Sequence, residues 1–285
     1  MIEQRDGYPA GVPCWVDLEQ DDPAAAAAFY GGLFGWDLAD EMPPDAPGHY
    51  FAATLRGKDV AAVGSRPEGA PPSPSWRTYI WVDDADATAA RATELGGRVA
   101  LAPMDIFDAG RMAVIADPEG ARIGIWQANR HRGAVLVNEP GTWNFSALHS
   151  RDMDGALAFY GGLFGWEGDA PDPASGGTVL LRRPGYGDHL EELDPGLRAR
   201  MAEMGAPAGF EDAVAWLVPL GDEAEPYWDA TFGVADADAT AAAAAELGAE
   251  VLVPPVDMPW VRMTVLRDPQ GAVFTASQFV PPDPG

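Results

Sequence analysis

Ala28-Phe29-Tyr30-Gly31-Gly32-Leu33-Phe34-Gly35-Trp36 occurs twice: the same nine residues return unchanged at positions 158–166, an offset of 130. Identity of that length within one chain marks an internal duplication, and a duplication sets the architecture before any local signal is weighed. Further landmarks recur in the same order. Asp84-Ala-Asp-Ala-Thr-Ala-Ala90 returns at 236–242 and Glu94-Leu95-Gly96 at 246–248, both at an offset of 152. Asp117-Pro118-Glu119-Gly120-Ala121 returns as Asp268-Pro269-Gln270-Gly271-Ala272 at an offset of 151. The growth of the offset places an insertion of about 22 residues in the second half, most of it within residues 188–208.

Working outward from the repeated segment, Trp15-Val16-Asp17-Leu18-Glu19 alternates as a strand does. Asp22 is placed to cap a helix with Pro23 at its first position, running over residues 24–33. Residues 50–55 and 60–63 flank Arg56-Gly57-Lys58-Asp59 as a hairpin, and residues 67–74 read as a Pro/Ser/Gly linker. A strand over 78–82, a helix over 86–95 stopped by Gly96-Gly97, and strands near Val99, 112–115 and 123–126 complete the first half. The second half repeats the order: strand 144–149, helix 153–163 capped by Asp152, a strand near 179–182, the insertion, strand 230–234, helix 237–247, and strands near Val251, 263–266 and 273–277. A helix is expected in the insertion after Asp194-Pro195. The reading is an α+β protein of four βαβββ units in two domains: residues 1–130, a linker over 131–142, and residues 143–285 with the helical insertion.

Composition narrows the function. Of 285 residues, 47% are hydrophobic and 22% charged, enough apolar side chain for a buried core. The formal charge of −26 repels phosphate backbones and anionic membranes, so nucleic acid and membrane are excluded as expected partners. Cys14 is the single cysteine, which rules out an intrachain disulfide and any cysteine zinc cluster. The start of the chain lacks a basic-then-apolar leader, so a cytoplasmic protein is expected.

A strand, an Asp-capped helix ending in Phe-Tyr…Leu-Phe-Gly-Trp, and a closing Asp-Pro-x-Gly turn before the last strand resemble the vicinal oxygen chelate superfamily. That superfamily holds glyoxalase I, the bleomycin- and fosfomycin-resistance proteins and extradiol dioxygenases. The tandem arrangement is similar to actinobacterial double-domain proteins called hydroxylase or glyoxalase-like. The resemblance implies two domains whose curved, mixed sheets surround open cups. It also implies where a metal would sit: on the first strand of each unit, and four residues beyond the glycine of Asp-Pro-x-Gly. Those places hold Trp15, Arg77 and Gly124 in the first half and Phe145, Asp229 and Thr275 in the second. Only Asp229 is an ordinary ligand type, so no metal and no cofactor is expected.

Period-2 alternation assigns the remaining cup faces. Trp15, Asp17 and Glu19 face one way and Val16 and Leu18 the other, under the helix. Arg77, Tyr79, Trp81, Arg122 and Trp126 join the first group, while Phe145, His149, Asp229, Thr231 and Thr275 line the second half, with Trp260 on a nearby loop. Ligand contact is expected from Trp15, Arg77, Tyr79, Trp81, Arg122, Trp126, Phe145, Asp229, Trp260 and Thr275; His149, Asp17 and Glu19 are the candidate proton-transfer groups. Each has a plainer alternative: the rings can fill the sheet as core, and Asp17 and Glu19 can pair with Arg77 and Arg122 as structural ion pairs. His49, His131 and His189 are expected to face solvent. Three functions remain open: a metal-independent binder of a small aromatic or secondary-metabolite ligand, a metal-independent enzyme such as a lyase, isomerase or tailoring protein, and a scaffold with filled cups. The chain is expected to act as a monomer holding its own pseudo-dimer, or as a homodimer.

Overall fold

The computed structural model describes residues 6–67, 74–171 and 176–281. The first half runs β1 (Pro13–Gln20), α1 (Pro23–Phe34), β2 (Asp37–Asp40), β3 (Tyr50–Leu55), β4 (Lys58–Ser65), β5 (Trp76–Trp81), α2 (Ala85–Glu94), β6 (Arg98–Ile106), β7 (Gly110–Ala116) and β8 (Arg122–Ala128). The second half runs β9 (Trp143–Ser150), α3 (Met153–Phe164), β10 (Glu167–Gly168), β11 (Val179–Arg182), α4 (Tyr186–Leu193), α5 (Leu197–Glu203), β12 (Ala213–Pro219), β13 (Tyr227–Gly233), α6 (Ala237–Glu246), β14 (Glu250–Met258), β15 (Val261–Arg267) and β16 (Val273–Phe279). Each half forms one eight-stranded sheet, ordered β2-β3-β4-β1-β5-β8-β7-β6 and β10-β11-β12-β9-β13-β16-β15-β14. Both sheets are open and mixed: β1·β4, β5·β8, β9·β12 and β13·β16 are parallel, and the ladders flanking them antiparallel. The expected α+β architecture of four βαβββ modules is therefore present.

The repeated segment is a helix end. Asp22 and Asp152 accept from the N–H three residues on, and Gly35 and Gly165 close α1 and α3 with φ of 72° and 71°, a left-handed cap that glycine adopts without Cβ strain. Its tyrosine explains how the chain packs. By compactness the chain divides into one unit of residues 1–14, 78–133 and 146–228, and a second of 15–77, 134–145 and 229–285. Each unit thus draws one module from each half; four of the five divisions fall inside β1, β5, β9 and β13, and the fifth, at 133/134, lies between β8 and β9. In the second unit Tyr30 donates to Asp268 at 3.0 Å, Gln20 donates to the same carboxylate at 2.7 Å, and Trp76 donates to the Tyr30 hydroxyl at 3.2 Å. In the first unit Tyr160 donates to Asp117 at 3.1 Å and accepts from Trp228 at 3.0 Å. The identical helix in one half is therefore tied to the Asp-Pro-x-Gly turn of the other.

Burial pushes the Tyr30 and Tyr160 hydroxyls well above their ordinary range, helped by the charge of the facing Asp. Burial likewise raises the Asp268 and Asp117 carboxyls, against the N–H and O–H groups that bond to them. Around Tyr30, the second unit packs Val16, Leu18, Phe29, Phe34, Trp36, Phe232 and Phe274 into one core. Burying each such ring or branched chain contributes about 1.5–3 kcal/mol.

Three local readings are corrected. The insertion carries a helix before Asp194 as well as after it: α4 precedes α5, and Glu191 of α4 accepts from the Gly196 and Arg198 N–H groups at the start of α5. Strand β12, absent from the sequence reading, follows the insertion and pairs with β9. Within residues 131–142, Ala134 and Leu136 are buried, so this stretch is packed chain. The linker expected at 67–74 lies largely outside the described residues.

Candidate functional site

The face of the first module turned away from α1 is built from a row of small residues ending in a carboxylate. Val16 and Leu18 pack with Phe29, Tyr30 and Phe34 of the helix, which turns Trp15, Asp17 and Glu19 to the other side. Across the ladders Ala39 stands opposite Ala52, Ala52 opposite Ala62, and Ala62 opposite Asp17. Directly opposed residues share a face, so these form one floor. The next row is Tyr50, Gly64 and Glu19. The Tyr50 ring lies over Gly64, where an added Cβ would approach it to 3.0 Å.

The polar groups on this floor meet. The Trp15 indole donates to the Tyr50 hydroxyl at 3.1 Å, and that hydroxyl donates to Asp17 at 3.4 Å. Arg77 holds Glu19 with two N–H groups at 2.7 and 2.9 Å, and its guanidinium lies 3.9 Å from Asp17. Trp15 is 4% and Asp17 7% exposed, so the hydroxyl between them is read by largely dehydrated groups. The expected gathering of Trp15, Asp17, Glu19 and Arg77 is present, in the second unit. Tyr50 was not anticipated. The signal that marks it is the difference between the halves at β3 and β4, where the second half has Leu180 and Trp216 in place of Ala52 and Ala62.

In the first unit Tyr79 and Trp126, expected to stack on a ligand, are buried as core, and Trp81 is half-buried. Tyr79 stands opposite Gly124, and a Cβ at Gly124 would lie 2.3 Å from the Tyr79 ring. The Trp126 indole donates to the His131 carbonyl and meets Tyr79 edge-on at 6.5 Å. Trp81 meets Tyr8 at 6.3 Å, and Gly11 and Val12 bond to its backbone. Arg122 is exposed at the start of β8. His131 does not face solvent as expected: its Nε2 is enclosed and its ring lies edge-on to Trp126 at 5.7 Å. His189 belongs to α4, half-buried beside Tyr186 at 6.4 Å. His49 is exposed, bonded to Asp40 at 2.6 Å; this bond, with the Tyr50 and Met42 N–H groups, holds the Asp40 carboxyl below its usual range.

The third module fills the corresponding floor. Ala147 takes the place of Asp17, Trp216 stands opposite it where Ala62 stands opposite Asp17, and Leu180 lies opposite Trp216. His149, in the place of Glu19, stacks flat on Tyr227 at 4.3 Å with 6° between planes. In the second unit Phe145 and Asp229 are half-buried, Thr275 is buried opposite Thr231, and Trp260 stacks on Phe279 at the β14–β15 turn, 6.4 Å away.

The profile of the Glyoxalase/Bleomycin resistance protein/Dioxygenase superfamily matches residues 15–125, and that of a glyoxalase-like domain matches residues 146–277. A protein named as a glyoxylase, CFP32 of Mycobacterium tuberculosis, is 41% identical over 283 residues, spanning 98% of this chain and 99% of its own. The chain belongs to the glyoxalase/bleomycin resistance protein/dioxygenase superfamily. An "anthracycline biosynthesis protein", DnrV of Streptomyces peucetius, is 34% identical over 95% of this chain and 94% of its own. Among solved structures, the 2,3-dioxygenase LapB of Pseudomonas sp. KL28 superimposes with a TM-score of 0.59 at 11% identity, covering 96% of this chain and 95% of that one. The Mn(II)-bound glyoxalase of Novosphingobium aromaticivorans gives 0.57 at 14% identity, over 94% and 82%. At such identity these two show the shared fold alone.

The residues at the superfamily's metal positions do not fit a cation. Gly124 has no donor, and no carboxylate can be placed there while Tyr79 covers it. Arg77 is a cation committed to Glu19, and Trp15 offers an N–H, which donates. In the second half Phe145 and Thr275 leave Asp229 as the single ordinary donor of its three positions. Among the described residues no three His, Cys, Asp or Glu side chains gather as a metal cluster.

Proposed function

We propose that this superfamily member binds a small planar aromatic or secondary-metabolite ligand, without a metal, on the first-module face. The reading is carried by the floor of Ala39, Ala52 and Ala62 ending at Asp17, where the equivalent strands of the second half place Leu180 and Trp216. Ala39 is exposed and Ala52 half-buried, while Ala62 and Asp17 are buried, so a flat molecule would enter over Ala39 and Ala52 and take the place where Tyr50 now meets the polar groups that fix its orientation. The relatives named for anthracycline biosynthesis support a polycyclic aromatic ligand.

An acid–base enzyme is the second reading, and one observation favours it: Asp17, buried beside the Tyr50 hydroxyl, is in reach of a bound proton donor. Glu19 is held by Arg77 and the His149 ring is stacked on Tyr227, which leaves Asp17 the better placed of the candidate catalytic groups. Titration of intrinsic tryptophan fluorescence with a panel of planar aromatics, before and after chelator treatment, tests the primary reading. Saturable quenching that survives chelation is expected. Quenching that vanishes on chelation and returns with a divalent metal would overturn it.

A further inference from the structure

Resting on that reading, we propose that Tyr50 is a displaceable internal stand-in for the ligand, and that the site selects planar aromatics carrying a phenolic hydroxyl. The Tyr50 side chain already shows what the site accepts. Its ring covers Gly64, and its hydroxyl both receives a bond from the Trp15 indole at 3.1 Å and gives one to Asp17 at 3.4 Å. A group bonded in both senses must be an acceptor and a donor at one atom. A phenol satisfies both, an aryl ether only accepts, and an aryl carboxylate sets its charge against Asp17.

Discrimination should be large, because Trp15 and Asp17 are nearly removed from water and a ligand without the hydroxyl leaves dehydrated groups short of a partner. Tyr50 is also suited to leave. It is the first residue of β3, directly after the irregular stretch 41–49, so its side chain can swing aside while the β3–β4 ladder stays intact. The arrangement belongs to the first module: the register of β2 with β3 and of β10 with β11 places Thr178 where the first half has Tyr50. Duplication therefore did not preserve the phenol as a requirement of the fold.

The test uses phenol and anisole on the full-length variant Tyr50→Ala, followed by tryptophan fluorescence. Phenol should bind saturably, and anisole at least tenfold more weakly; adding Asp17→Asn should weaken phenol by tenfold or more. If Tyr50→Ala fails to fold by circular dichroism, Tyr50→Phe keeps the ring and deletes its anchor, and 2-naphthol should then bind about tenfold tighter than to the native protein. Equal binding of phenol and anisole overturns the hydroxyl selection while leaving an aromatic-binding face in place. Absence of phenol binding to a folded Tyr50→Ala, or 2-naphthol affinity unchanged in Tyr50→Phe, overturns the stand-in itself.

Discussion

The first and third modules share a nine-residue helix end without a single difference, yet their sheet faces are opposite in character. One has Ala52, Ala62 and Asp17 in a row, with Tyr50 laid across the neighbouring glycine; the other has Leu180, Trp216 and Ala147. The shared part is what the packing requires: a capped helix, a tyrosine bonded to a buried Asp, and a tryptophan closing on a carbonyl, Trp36 on Gly141 and Trp166 on Gly11. The face has no such duty. On the proposed reading, its divergence separates the work of holding the fold from the work of receiving a ligand.

The sharpest way to break this contrast is to restore a carboxylate where metal-dependent relatives would carry one. Gly124→Glu must displace Tyr79 and bury a charge, and should cost on the order of 3–5 kcal/mol in urea unfolding. Thr275→Glu, at the same place in the other sheet, should cost about 1–3 kcal/mol, since Thr231 stands opposite it where Tyr79 stands opposite Gly124. Equal losses would mean that the second- and fourth-module faces, at β8 and β16, are not packed differently.

Tyr30→Phe and Tyr160→Phe test the shared part, each with an expected loss of about 1–3 kcal/mol, because a buried carboxylate is left short of a donor. The effect has a pH sign. With folded carboxyls raised above the ordinary value, Asp268 and Asp117 oppose folding when ionised, and the opposition eases as pH falls through the raised values. The tyrosine stabilises the ionised form, so both variants should be hurt more at pH 8 than at pH 5. A loss independent of pH would remove the charge from the account.

Exchange of the floors comes next. Ala62→Trp should weaken planar-aromatic binding by tenfold or more, while Trp216→Ala should leave it unchanged. Both follow from fluorescence titration, and the reverse pattern would move the site to the third module. The smallest effect belongs to Glu119, which accepts from Ser150, Arg151 and Asp152. Partial burial pushes its carboxyl up, but these donors hold it below the ordinary Glu range. Its contribution is therefore present above that range and lost as pH falls, so the native protein and Glu119→Gln should converge in melting temperature towards pH 3. A difference that widens on acidification would refute the assignment.

Much of the fold was legible because repeats, Asp caps and period-2 alternation are local signals: Asp22, Asp152 and the facing of Val16 and Leu18 all follow from them. The meeting of Trp15, Asp17, Glu19 and Arg77 was legible for the same reason. The partition into compact units was not, since Tyr30 and Asp268 lie 238 positions apart and nothing local couples them. Tyr79 and Trp126 read as cup-lining aromatics; that a bare Gly124 draws the Tyr79 ring down as core depends on a cross-strand register no single strand reveals. Tyr50 went unseen because its row holds Gly64 and Glu19, which do not mark it, and the neighbouring alanine row has meaning only beside the Leu180 and Trp216 that stand in place of Ala52 and Ala62.

The most direct test is a titration of chelator-treated protein with a hydroxylated planar aromatic such as 2-naphthol, run in parallel on the native chain and on Ala62→Trp. Saturable binding to the native chain, indifferent to added manganese, nickel or zinc and lost in the variant, is the predicted result. Binding that depends on one of those metals, or that Ala62→Trp leaves untouched, would contradict it.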